Sequence, residues 1–165
     1  MASRVAIIDT VRQGTAQVER TFGSLTDEQL RTKVHDDERG WTAKDVLAHL
    51  AARGSTNDRL VKLGVGESTP LSADAGMDDW NQALVDERTG RSKEALLAEF
   101  RAVQDALIAQ VQTLPDDALA RPIPLPPATM LLGDLLGMAG GAHASHHAQA
   151  VEQAIARSAG PVSGS

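Results

Sequence analysis

Leu132-Gly-Asp-Leu-Leu136-Gly-Met-Ala139-Gly-Gly-Ala-His143-Ala-Ser-His146-His147-Ala-Gln-Ala-Val151-Glu-Gln-Ala154 is the stretch on which the fold of this chain is decided. Leu132, Leu136, Ala139, Val151 and Ala154 recur at the spacing of one face of an α-helix. His143 and His147 fall on the same stripe one turn apart, which sets their Cβ atoms about 5–6 Å from each other and turns both rings toward the core. His146 lies to one side. The pattern predicts a last helix from about Thr129 to about Arg157. Its small residues, Gly140, Gly141, Ala142 and Ala144, fit either close helix packing or room for a ligand.

The same period runs through the rest of the chain. Val5, Ile8, Val11, Val18 and Phe22 predict a first helix from about Ser3 to Phe22. Thr26-Asp-Glu-Gln29, preceded by Leu25, reads as a capping box that opens a short helix. Thr42 and Asp45 form a second box, opening a helix expected to run unbroken to Leu63 and to end at Gly64 and Gly66. Glu67 to Gly76 reads as a loop. A third helical region starts at Asp78-Asp79, pauses at Gly90, resumes after Ser92 and runs to Thr113. Pro115 and Pro122-Ile-Pro-Leu-Pro-Pro127 exclude helix and favour an extended link. No strand signal competes. Ser24–Leu30 after the first helix is echoed by Thr113–Leu119 after the third, which suggests two related halves. The expectation is an all-α, up-and-down four-helix bundle with short accessory helices over residues 1–158, followed by a disordered tail, 159–165.

Composition limits the function. At 165 residues the chain is one domain by length, with 42% apolar and 23% charged residues. It has no cysteine, which removes disulfides, thiolate catalysis by the chain and iron–sulfur clusters, and fits a cytoplasmic location. No signal peptide and no apolar stretch long enough to span a bilayer are visible. The net charge of −6 and an aromatic content of 2% argue against nucleic acid and anionic membranes as partners. A small-molecule substrate is the expected partner, and self-association into a homodimer stays open.

Five histidines carry the candidate chemistry. His49, flanked by Val46 and Leu50, faces inward from the second helix, and bundles assemble metal sites from facing helices. His49, His143 and His147 together offer three neutral imidazoles and an open position, as in a catalytic zinc-type site, although imidazole also suits nickel, copper and iron. Taken alone, an inward His49 is more often a hydrogen-bonded core residue than a ligand. The His143–His147 pair is harder to explain that way, because each buried ring needs its own partner. Asp45 either caps its helix or orients His49, the cap being favoured. Asn81 and Arg88 either line a pocket mouth or lie on a solvated face. His146 reads as a residue behind the ligands or on the surface, and His35 as a solvated loop residue.

Three segments resemble the DinB-like superfamily of metal-binding four-helix bundles, over nearly the whole chain. They are Gly40-Trp41-Thr42-Ala-Lys-Asp45-Val-Leu-Ala-His49-Leu50, then Asp79-Trp80-Asn81 with Arg88, then Gly133-Asp134-Leu-Leu followed by His143-Ala-Ser-His146-His147. The resemblance implies that His49, His143 and His147 bind one divalent metal, zinc or nickel. It implies a metal-dependent thiol S-transferase or isomerase acting on a small electrophile with a low-molecular-weight thiol as cosubstrate, as in bacillithiol and mycothiol S-transferases and mycothiol-dependent maleylpyruvate isomerase. The alternative it carries is a self-resistance protein that sequesters or hydrolyses a reactive metabolite, some without metal. Ala51-Ala52-Arg53 departs from the aromatic or acidic residues that many relatives place after the first ligand.

Overall fold

Local sequence starts each long helix. A computed structural model describes residues 2–34, 40–67, 77–125 and 127–160; His35, most of the expected loop before residue 77, and the tail from 161 lie outside them. Helix α1 (Arg4–Gly23) opens on Ser3, whose hydroxyl accepts from the Ala6 amide at 3.2 Å. Helix α2 (Ala43–Ala51) opens on the Thr42–Asp45 capping box, with both reciprocal bonds formed. Helix α4 (Met77–Asp86) precedes α5 (Lys93–Thr113), which opens on Ser92. These side chains satisfy amides that the first helical turn leaves without partners. The Thr26–Gln29 pair also bonds reciprocally, but it opens only a 3-10 turn, Gln29–Arg31.

Two expectations are corrected. The second helix breaks at Ala52–Arg53, and α3 (Gly54–Gly64) continues it. There the Arg53 amide reaches back only to Leu50 O, a tightened turn. Gly54, a poor helix former, resumes the helix; a one-residue tightening leaves the apolar period too little changed to be read. The proline-rich link is a β-hairpin: β1 (Pro122–Leu125) pairs antiparallel with β2 (Ala128–Leu131) after a short helix α6 (Asp116–Leu119). In a two-stranded sheet every strand is an edge, so proline can turn its N–H-less side away from the ladder. The last helix therefore begins at Leu132, not Thr129. It comprises α7 (Leu132–Gly137), a π-helical turn (Met138–Ala142) and α8 (His143–Ser158).

The four-helix bundle is formed by α1, α2–α3, α5 and α7–α8, with α1 and α2–α3 each packed on both of the others. One apolar cluster joins Phe22 of α1, Leu47 of α2, Phe100 of α5 and Val151 of α8; the other joins Val11, Leu60 of α3, Leu107 and Leu136 of α7. The order of these residues gives the directions: up for α1, down for α2–α3 and α5, up for α7–α8. Between the two clusters the helices carry glycine or polar residues: Gly14, Asn57, Gln104, and Gly140 with Gly141. Gln104 is buried and donates from Nε2 to Gly140 O at 2.7 Å. No described helix is long and apolar enough to cross a membrane.

Candidate metal centre

The three inward histidines lie among residues of the first cluster, placed there by different local devices. His49 lies in the last turn of α2, whose register the capping box sets, and it is 5% exposed. Trp41, just before the cap, packs its ring 5.1 Å from that of His49 and donates from Nε1 to Gln82 Oε1 of α4 at 2.8 Å. His143 follows the π turn, and its own amide donates to Met138 O, five residues back. One extra residue in a turn rotates everything after it, which is how such turns re-aim side chains at sites. Met138 is turned outward, 44% exposed.

The glycines beside the site serve close packing, not ligand room. A Cβ on Gly14 would collide with Gly141 O, and one on Gly141 would collide with Thr10 O. Backbone meets backbone there, so α1 fixes the π turn and with it the direction of the two rings beyond it.

The imidazoles of His49, His143 and His147 converge, with one ring nitrogen from each lying within 4.8 Å of the others. His49 Nε2 and His143 Nε2 are 3.1 Å apart. Ring centroids are separated by 5.3 Å for His49–His143, 5.2 Å for His49–His147 and 4.4 Å for His143–His147. Two nitrogens on one tetrahedral zinc-type ion stand about 3.4 Å apart, so the donor set and its spacing fit such an ion. Burial pushes the His143 pKa down to about 2, helped by the Arg53 guanidinium and by His147, His49 and His146. The ring is therefore neutral at ordinary pH, the form a metal ligand needs.

The other sequence candidates are spread out. The Asp45 carboxylate takes the Thr42 amide at 2.9 Å and hydroxyl at 2.7 Å, as a cap does. Arg88 donates to Glu99 Oε1 from Nε and Nη2 and to Leu84 O, tying the end of α4 to α5. Asn81 is half-buried on α4. His146 is exposed, its ring 5.7 Å from that of His147. Two residues that follow His49 at one-turn steps were not singled out from the sequence. Arg53 lies at the α2–α3 break, its Nε buried without a partner among the described residues, and Asn57 is buried one turn further with neither amide atom bonded. The available signal was the run His49, Arg53, Asn57 at four-residue steps, polar where an inward stripe should be apolar.

Comparison with known proteins points to the same architecture. A family model of the DinB superfamily matches residues 10–151. No curated protein matches the sequence. Among solved structures, YfiT from Bacillus subtilis, described as "a probable metal-dependent hydrolase with an unusual four-helix bundle topology", is 23% identical over 96% of this chain and 91% of its own, with a TM-score of 0.75. The colibactin self-resistance protein ClbS, in complex with dsDNA, is 13% identical over 93% of this chain and 95% of its own, TM-score 0.75. The mycothiol-dependent maleylpyruvate isomerase is 16% identical over 94% of this chain but 67% of its own, TM-score 0.73.

Proposed function

The chain belongs to the DinB superfamily, and from that premise we propose that it is a metal-dependent enzyme, a thiol transferase or isomerase acting on a small electrophilic molecule. The convergence of three imidazoles from α2 and α8 on one point carries this reading. His49, His143 and His147 would hold one divalent ion, zinc or nickel. When bound, such an ion supplies a Lewis-acidic position that raises the thiolate fraction of a coordinated thiol at neutral pH. The chain has no cysteine, so the thiol would be a small-molecule cosubstrate. Trp41 and the apolar wall around His49 keep water from that side of the cluster, and the low pKa of His143 keeps its nitrogen available.

The description of YfiT as a probable metal-dependent hydrolase supports the metal, and that of another neighbour as a mycothiol-dependent isomerase supports the choice of reaction. The ClbS likeness favours a second reading, a self-resistance protein that sequesters or hydrolyses a reactive metabolite. With a net charge of −6, nucleic acid is not proposed as a partner; a DNA-shift assay showing a salt-sensitive complex would reverse that.

Elemental analysis of protein purified without added metal tests the centre. About one zinc or nickel per chain is expected, falling to near zero in His143→Ala. Consumption of a small thiol with a panel of electrophiles should then require the metal. A wild-type chain free of metal sinks the reading; turnover with water alone would select the second one.

A further inference from the structure

Two side chains that follow His49 at one-turn steps, Arg53 and Asn57, hold buried polar atoms without a partner among the described residues, and they share one face of α3. Asn57 is 2% exposed, and neither Nδ2 nor Oδ1 is hydrogen-bonded. Arg53 Nε is buried in the same condition. The Asn57 amide donates to Arg53 O at 3.0 Å, so the two side chains stand one turn apart on one face. His49 precedes Arg53 by another turn. Buried polar groups are almost always satisfied, and two exceptions side by side call for an explanation.

The nearby acids are committed elsewhere. Asp45 caps α2, Glu99 holds Arg88 and Arg91, and Asp58 accepts from Gln110. Among the described residues no carboxylate pairs with Arg53, although its charge is felt at His143. A cavity of about 240 Å³ opens between α3 and α5, with Asn57, Gly54, Val103 and the carboxylate-bearing Asp58 and Glu99 in its wall; Arg53 and the imidazoles are not part of that lining. Within the described residues the fold thus holds a guanidinium with no anion, and an amide whose donor and acceptor are both free.

We propose that Arg53 and Asn57 are the substrate anchor of this centre, and that the substrate carries a carboxylate with an amide-like group next to it. A carboxylate matches the planar fork of the guanidinium, and Asn57 needs a partner that presents an acceptor and a donor together. This inference rests on the three-histidine cluster being the reaction centre, and it specifies what that centre accepts. Arg53 would hold the acid end of the molecule beside His143, leaving the rest to extend past the imidazoles.

Chemical-shift titration of the full-length, metal-loaded chain tests it, with N-acetylglycine as the probe for carboxylate plus amide, N-methylacetamide as the neutral amide, and inorganic phosphate as the other anion. N-acetylglycine should bind saturably and more tightly than either control. Arg53→Met should weaken it about tenfold or more, and Arg53→Lys less, because the charge stays while the fork is lost. Asn57→Leu should also weaken it while melting no lower than wild type, which separates ligand recognition from folding. Equal affinity for N-acetylglycine in wild type and Arg53→Met, or phosphate binding as tightly as N-acetylglycine, overturns the proposal. Metal content measured on the same samples separates the two readings. A metal-free wild type with Arg53-dependent binding sinks only the reaction centre, and a metal-replete one without that dependence sinks only the anchor.

Discussion

Residues 4–64 and 93–158 share one plan and end in different chemistry. Each half runs from a long helix (α1, α5) through a short helical turn to an antiparallel pairing and then an interrupted helix. The Lys33–Thr42 bridge in the first half corresponds to the β1–β2 hairpin in the second. In each, the first residue of the next helix donates to the chain before the pairing, Ala43 to Thr32 O and Leu132 to Arg121 O, both at 2.9 Å. Leu25 and Leu30 close one end of the core, and Leu114 and Leu119 close the other. The interruptions diverge. The first half tightens its helix at Ala52–Arg53, just after His49; the second loosens its helix at Met138–Ala142, just before His143 and His147. The helix pairings diverge with them. Gly14 and Gly141 bring α1 and the last helix into backbone contact, whereas Gly54 and Val103 line a cavity between α3 and α5. A repeated scaffold thus gives one sealed seam, which fixes the direction of His143 and His147, and one open seam, which leaves a cavity between α3 and α5.

Closing the contrast from the sealed side has the largest expected effect. Gly141→Val drives a side chain into the α1 backbone and should destabilise the protein by about 3 kcal/mol or more, read as a lost or strongly lowered melting transition. A melting point within a few degrees of wild type would mean that the seam is not tight.

Acid probes the imidazoles themselves. In metal-stripped protein the folded His143 pKa lies near 2, below the value of about 6.5 for an unfolded chain. Above about pH 6.5 both states are neutral at this ring and its full contribution is present. As pH falls toward the folded value, the unfolded chain takes up a proton that the folded one refuses, and stability drops. Thermal melts of the stripped protein should decline through that window, and His143→Leu should flatten the decline.

The open seam should respond with the opposite sign. Asn57→Leu removes an unpaired buried amide and should stabilise the metal-free protein by about 1–3 kcal/mol in denaturant unfolding. A loss of stability would show that Asn57 has a partner in solution. The smallest effect belongs to Gly54→Ala, whose Cβ would make ordinary contact with Val103 at 3.4 Å. It should raise stability by at most about 1 kcal/mol, where the same change at Gly141 should lower it.

Much of this was legible along the chain. Thr42 and Asp45 announce the start of α2, Ser92 that of α5, and the apolar period gives the inner face of α5 and of α1 from Ile8 on, because caps and periodicity are local properties; Val5, read on the same stripe, is 68% exposed, and Ile7 is buried in its stead. The pair His143 and His147 needed only the pitch of one helix. The hairpin was not legible: Pro122 and Pro124 argue against a strand unless it is an edge, and edge status depends on what else pairs with it. Asn57 continues the step from His49 and Arg53 along the chain, but that its amide is buried and unpaired emerges only from its surroundings.

By itself, then, the amino-acid order determined which segments are helical, which faces they bury, and that three imidazoles without any thiol are the available donors. The tertiary structure decided which rings meet, that glycine at 14 and 141 means contact and not room, and that Arg53 and Asn57 are left without partners among the described residues. The first set depends on neighbours a turn away along one helix. The second depends on which helices pack side by side, and that order is written in no single stretch of the chain.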